Sequence, residues 1–213
     1  MPSIEDLWNH NILRAPKAIL ISKQYLGALH KGGVKANFKK TDIGESVCCD
    51  GVCLTLIRIK KESFLFYLSK ETLKRSNFKN IKIGKSINIE KSLFHGKKIS
   101  GHYIQGHVDT TSSVKNIKII DKAWNIYLTL DKKYKKFIVE KGSISVNGVS
   151  LTISNISNNG FLITVIPHTL KLTNLVKLKK GDKVNIEFDL VGKYLNKIYV
   201  WHKQNIIINS RNY

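Results

Sequence analysis

From residue 143 onward the chain alternates polar and apolar side chains, Ser143-Ile144-Ser145-Val146, and turns at Asn147-Gly148. Alternation then resumes through Val149-Ser150-Leu151-Thr152-Ile153. A period of two on both sides of Asn-Gly predicts a hairpin, because strand side chains alternate between faces and Asn-Gly accepts the positive φ of a tight turn. Residues 161–166 form a second β-rich run closed by Pro167, and residues 183–188 a third, after the turn signal Lys180-Gly181-Asp182. A helical turn is predicted over 168–175. Beyond Asp189 the period changes: Val191, Tyr194, Leu195, Ile198 and Trp201 recur at helical spacing. That stripe predicts one terminal amphipathic helix, capped by Asp189, whose apolar face serves as an oligomer contact.

The same pattern occurs twice. Residues 46–93 align on 143–190 without a gap, at a constant offset of 97 and with 18 of 48 positions identical. Gly51-Val52 matches Gly148-Val149, Leu54-Thr55 matches Leu151-Thr152, Thr72-Leu73-Lys74 matches Thr169-Leu170-Lys171, and Asn88-Ile89-Glu90 matches Asn185-Ile186-Glu187. Identity at that level without a gap marks two copies of one domain. The division expected is a first copy over 1–97, a second over 98–190, a helix over 191–203 and a tail over 204–213. Short strands with frequent turns predict a small barrel or sandwich per copy.

Charge changes this picture less than its size suggests. The 213 residues carry a formal charge of +21, which invites a nucleic-acid reading. Yet 32 of the 36 basic residues are Lys and only four are Arg, whereas base and phosphate readers favour Arg. Lys (32), Ile (28) and Asn (18) are abundant in core-like and surface-like positions alike, the mark of a compositional drift. The charge is spread over both copies, the aromatics are scattered, and neither fits a single-strand-binding face. No specific nucleic-acid partner is expected. No apolar window is long enough to span a membrane and the first residues lack a signal-peptide pattern, so a soluble cytoplasmic protein is expected. Cys48, Cys49 and Cys53 read as reduced thiols. Cys48 and Cys49 point to opposite strand faces, and Cys49 lies too far along an extended chain from Cys53 for a disulfide. No metal-ligand spacing is present and no metal is expected.

Tandem copies of a ligand-binding barrel hold two similar molecules, and copies facing each other about a pseudo-twofold axis bring them together. On its motifs the chain resembles the α-type riboflavin synthase family. They are Ser46-Val47, Asp50-Gly51-Val52-Cys53-Leu54-Thr55, Lys70-Glu71-Thr72-Leu73, Gly101-His102-Tyr103-Ile104-Gln105-Gly106-His107-Val108-Asp109, Lys141-Gly142-Ser143-Ile144, Asn147-Gly148-Val149-Ser150-Leu151-Thr152 and Ile166-Pro167-His168-Thr169-Leu170. The resemblance implies an all-β fold of two tandem six-stranded Greek-key barrels with a C-terminal α-helix, assembled as a homotrimer. It implies dismutation of two 6,7-dimethyl-8-ribityllumazine molecules into riboflavin and 5-amino-6-(ribitylamino)uracil, with no metal or organic cofactor. Each barrel would bind one lumazine, the working site lying between the first barrel of one chain and the second barrel of another. The first pocket would use Cys53, Leu54 and Thr55 with Tyr67, Leu68, Ser69, Lys70, Glu71 and Thr72. The second would use Gly106, His107, Val108, Lys141, Ser150, Leu151 and Thr152 with Thr164, Val165, Ile166, Pro167, His168 and Thr169.

The chemistry asks for a base and a transient nucleophile. The C7 methyl of a lumazine is acidic because its carbanion delocalises into the ring, and His102 and His107 are candidate bases. Ser46, Cys53, Thr152 or a water they orient are candidates for addition at C7. One departure stands at the start: the family begins Met-Phe-Thr-Gly-Ile, this chain Met1-Pro2-Ser3-Ile4-Glu5. Extending the offset of 97 upstream sets Asn9-His10-Asn11 against Gly106-His107-Val108, with only the histidine shared. The alternative function is a catalytically silent lumazine- or flavin-binding protein of the antenna type.

Overall fold

The computed structural model of the chain describes residues 18–22, 38–60, 63–82 and 85–209. In the first copy, strands β1 (Ala18–Ser22), β2 (Ser46–Cys49), β3 (Val52–Lys60), β4 (Ser63–Tyr67) and β5 (Ile89–Lys91) form one antiparallel sheet in the order β1-β4-β3-β2-β5. In the second, β6 (Thr110–Ile120), β7 (Ala123–Thr129), β8 (Ser143–Val146), β9 (Val149–Ser157), β10 (Gly160–Val165) and β11 (Lys183–Phe188) close into a barrel in the order β10-β7-β6-β11-β8-β9. The offset of 97 carries β2 to β5 onto β8 to β11 element for element. Among the described residues the first copy therefore shows five of the six barrel strands in the same order, and β6 has no counterpart.

The first strand breaks the offset. Ala18 pairs with Tyr67, whereas Asn125 pairs with Thr164, the repeat partner of Tyr67. Ala18 thus stands where Asn125 stands, a displacement of 107 and not 97. At β1 the offset is thus 107, because ten more residues separate β1 from β2 than separate β7 from β8. Residues 9–11, to which the offset of 97 was extended, lie outside the described residues.

Each copy has its own core. Leu56, Phe64, Phe66, Leu68 and Phe78 are fully buried in the first, with the rings of Phe38 and Phe64 edge-on at 4.7 Å. Ile126, Leu128, Ile144, Ile153, Phe161 and Ile163 fill the second. Each such side chain contributes about 1.5–3 kcal/mol by leaving water. The strand faces follow the alternation of the sequence, so Cys49 is buried while its neighbour Cys48 is half-exposed.

The predicted helical turn is α2 (Pro167–Leu172), followed by a 3-10 turn over Asn174–Lys177; its counterpart in the first copy is α1 (Lys70–Arg75). The terminal helix α3 spans Leu190–Asn209, running past the expected end at 203. Asp189 caps it as expected, its Oδ1 accepting the Val191 N–H at 3.0 Å. Val191, Tyr194, Leu195, Ile198 and Trp201 are each at least 60% exposed, so no part of the described chain covers the predicted stripe. No described helix is long and apolar enough to cross a membrane.

Candidate active site between the two copies

The copies meet through a set of asparagines that repeats about a pseudo-twofold axis. Asn77 N–H donates to Asn185 Oδ1 at 2.7 Å, and Asn174 N–H to Asn88 Oδ1 at 2.8 Å. Asn77 Nδ2 donates to Lys183 C=O and Asn174 Nδ2 to Ser86 C=O, both at 3.0 Å. Asn185 Nδ2 donates to Asp50 C=O and Asn88 Nδ2 to Asn147 C=O. Every one of these bonds maps onto its partner by the offset of 97. Asp50 breaks the symmetry, since its counterpart is Asn147. It is fully buried, its Oδ1 accepts from Asn88 N–H and Asn174 Nδ2, and its Oδ2 has no partner. Burial pushes its carboxyl up to about 7 against the hydrogen bonds and the Lys85 charge, which act the other way.

Beside this contact lies a cleft of about 450 Å³ lined by Ser46, Cys48, Cys53 and Glu90 from the first copy and by His102, Gln105 and Ser150 from the second. The segment from 98 to 109 that supplies His102 is irregular. His102 and His107 both lie outside regular strand, because β6 begins only at Thr110. Three contacts fix the segment. Both carboxylate oxygens of the buried Glu187 accept main-chain N–H groups, from Gln105 and from Gly106, each at 3.0 Å. Gly106 C=O in turn accepts the N–H of Cys53 at 2.7 Å. Gly106 has φ +76, and a Cβ there would stand 2.6 Å from Cys53 N, so only glycine allows this approach.

His102 is held in the cleft by a side chain of the second copy. Its Nδ1 lies 2.7 Å from Ser150 Oγ, and its Nε2 is buried without a protein partner. Gly101, φ +96, makes room for that pair, since a Cβ there would meet Ser150 Oγ at 2.4 Å. Burial lowers the imidazole below its ordinary value, against the raising effect of Asp189 and Glu187. Burial therefore favours the neutral ring. With Nδ1–H donated to Ser150, Nε2 keeps a lone pair, closed to solvent in this conformation.

The cleft unites Ser46, Cys53, His102 and Ser150 and leaves the other sequence-derived residues elsewhere. Leu54, Leu68 and Val165 belong to the cores, and Val108 packs on the core of the first copy. Ser69 caps α1, accepting Thr72 N–H at 3.0 Å with Thr72 Oγ1 at 2.9 Å, and Glu71 is ion-paired with Arg75. Thr55, Lys70, Lys141, Thr152, Ile166 and His168 are exposed, as are His107 and Tyr67, while Leu151 and Thr169 are half-buried. Thr164 Oγ1 donates to Asn125 Oδ1 at 2.8 Å, and Pro167 opens α2. Among the described residues no group of three or more His, Cys, Asp or Glu is placed to hold a metal ion. Glu187, Glu90 and Cys48 were not singled out from sequence. The available signal was a glutamate kept in both copies of Asn-Ile-Glu, on the polar face of the strand beside the asparagine.

Known proteins resemble this chain over most of its length. A profile of the lumazine binding domain matches residues 26–92 and again 105–189. The riboflavin synthase of Photobacterium leiognathi is 38% identical over 157 residues, 74% of this chain and 72% of that protein. That of Bacillus subtilis (strain 168) is 35% identical over 163 residues, 76% and 75%; that of Saccharomyces cerevisiae is 38% identical over 160 residues, 73% and 67%. Among solved structures, LumP complexed with riboflavin superposes with a TM-score of 0.64 at 25% identity, covering 71% of this chain and 84% of that one.

Proposed function

The chain belongs to the lumazine-binding family of riboflavin synthases, and from that premise we propose that it converts two molecules of 6,7-dimethyl-8-ribityllumazine into riboflavin and 5-amino-6-(ribitylamino)uracil. It is a transferase: four carbons pass from one lumazine to the other, and both products come from one kind of substrate. The observation that supports the reading is the doubled lumazine-binding domain, with Ser46 and Cys53 of the first copy and His102 of the second lining one cleft; the paired lumazines themselves lie between the first barrel of one chain and the second barrel of another.

In the reaction, His102, once its buried Nε2 is uncovered, takes a proton from the acidic C7 methyl of one lumazine, Ser150 holding the ring through Nδ1. Cys53, Ser46 or a water between them adds to C7 of the other and leaves again. Pairing two large rings in one orientation removes an entropic part of the barrier that the side chains need not supply. Of the remaining residues carried over from the family, the exposed or half-buried Thr55, Tyr67, Lys70, His107, Lys141, Thr152, His168 and Thr169 serve as walls and ribityl contacts of the two pockets, whereas Leu54, Leu68 and Val165 stay in the cores. The chain divides into barrels over 1–97 and 98–190, and three copies assemble through the exposed stripe of α3. The assembly works in the cytoplasm, without cofactor. Turnover of 6,7-dimethyl-8-ribityllumazine as sole substrate tests the proposal; a protein that binds it and releases no riboflavin is an antenna-type binder.

A further inference from the structure

Cys48 and Cys53 face each other directly across the β2–β3 hairpin, in the register Cys48↔Cys53 next to Cys49↔Val52. The turn between them is Asp50-Gly51, with φ of +46 and +77, the two-residue primed type. In such a hairpin the pair beside the turn is hydrogen-bonded and the next pair is not. Cys53 confirms this, because its N–H points away from β2 and donates to Gly106 C=O at 2.7 Å. A non-hydrogen-bonded pair has Cα atoms about 4.5 Å apart and side chains on one face, inside the range a disulfide spans. Both cysteines are free, both are half-exposed, and both line the cleft; Cys49, on the other face, is buried in the core.

We propose that Cys48 and Cys53 form a dithiol that closes reversibly into a cross-strand disulfide when a small-molecule disulfide enters the cleft. The Cys53 thiolate attacks one sulfur of the oxidant RS–SR, forming a mixed disulfide and releasing RS⁻. Cys48 then loses its proton and attacks Cys53 Sγ, expelling the second RS⁻. The protein gives up two electrons and two protons, and the oxidant becomes two thiols. Burial and the Glu90 carboxylate push Cys48 up to about 12, so the opening attack falls to Cys53 and the closing one is slow. The second copy cannot do this: its counterparts are Ser145 and Ser150, paired in the same register. Those serines also show that the hairpin tolerates an oxygen at either position. The dithiol chemistry stands independently of the proposed turnover.

The full chain, incubated with glutathione disulfide and then alkylated under denaturing conditions, tests this by intact mass and fragment mapping. The expected product has lost two hydrogens, carries one alkyl group, on Cys49, and maps to a Cys48–Cys53 bond that dithiothreitol reopens. The Cys48→Ser variant stops at a glutathione adduct on Cys53, and the Cys49→Ala variant still closes. A lasting glutathione adduct in the unsubstituted chain, a bond that includes Cys49, or no reaction at all overturns the proposal. Turnover of the reduced protein, assayed in parallel, reports on the enzymatic reading alone.

Discussion

Gly51 and Gly148 stand against each other across the pseudo-twofold axis: a Cβ on Gly51 would lie 2.7 Å from the amide nitrogen of Gly148, and one on Gly148 would lie 2.8 Å from that of Gly51. Both have positive φ, +77 and +80. The two hairpin turns therefore touch backbone to backbone, which brings Cys53 of one copy and Ser150 of the other to the same cleft.

Substituting either glycine by alanine costs twice, once for a left-handed backbone and once for a clash with main chain that cannot move aside. Gly51→Ala and Gly148→Ala are each expected to lose at least about 2 kcal/mol in urea unfolding. Gly44→Ala, where φ is +95 but a Cβ meets nothing within 4 Å, serves as the comparison and loses less.

Asp50 makes the contact between copies sensitive to pH. Its carboxyl is ordinary in the unfolded chain, 3.8, and raised to about 7 when folded. Between those values the folded chain keeps a proton that the unfolded chain has released, so this contribution to stability falls as pH rises through the window. Asp50→Asn, which restores the residue of the second copy, removes the slope. The variant is expected to be more stable than the unsubstituted chain by on the order of 3 kcal/mol at pH 8, with the difference vanishing below pH 4. Chemical denaturation of both proteins from pH 4 to 8 checks it.

His102 and Ser150 separate the chemical step from binding. His102→Gln removes the base and is expected to lower kcat by about 10²–10⁴-fold. Ser150→Ala frees the ring without removing it, a smaller loss in kcat. The acid limb of the kcat profile of the unsubstituted enzyme is expected below the ordinary histidine value of 6.5, because burial favours the neutral ring. An acid limb above that value would exclude His102 as the base.

The stripe on α3 is expected to hold the assembly together. Leu195→Glu with Ile198→Glu places two charges on a face about 60% exposed in the single chain, so the barrels should stay folded while the sedimenting mass falls to that of one chain. Unchanged mass would place the contact elsewhere.

Much of this was legible in the sequence because residues 46–93 repeat in 143–190 without a gap, so one alternation pattern marked eight strands at once. The Asn-Gly turn, the Asp189 cap and the helical stripe each rest on a short-range rule that tertiary contacts do not overrule. The upstream strand was not legible, since the longer connection between β1 and β2 shifts its offset and no residue pattern announces the length. Nor was the role of Glu187, whose partners are backbone N–H groups 81 and 82 positions away. The facing of Cys48 and Cys53 was hidden by the shorter spacing of Cys49 to Cys53, which draws attention to the wrong pair.

The central claim is that one substrate supplies both products. Incubating the purified protein with 6,7-dimethyl-8-ribityllumazine alone, with absorbance and chromatography followed to completion, tests it most directly. The account predicts one riboflavin and one 5-amino-6-(ribitylamino)uracil for every two lumazines consumed. Stoichiometric binding of the lumazine with no riboflavin formed would contradict it.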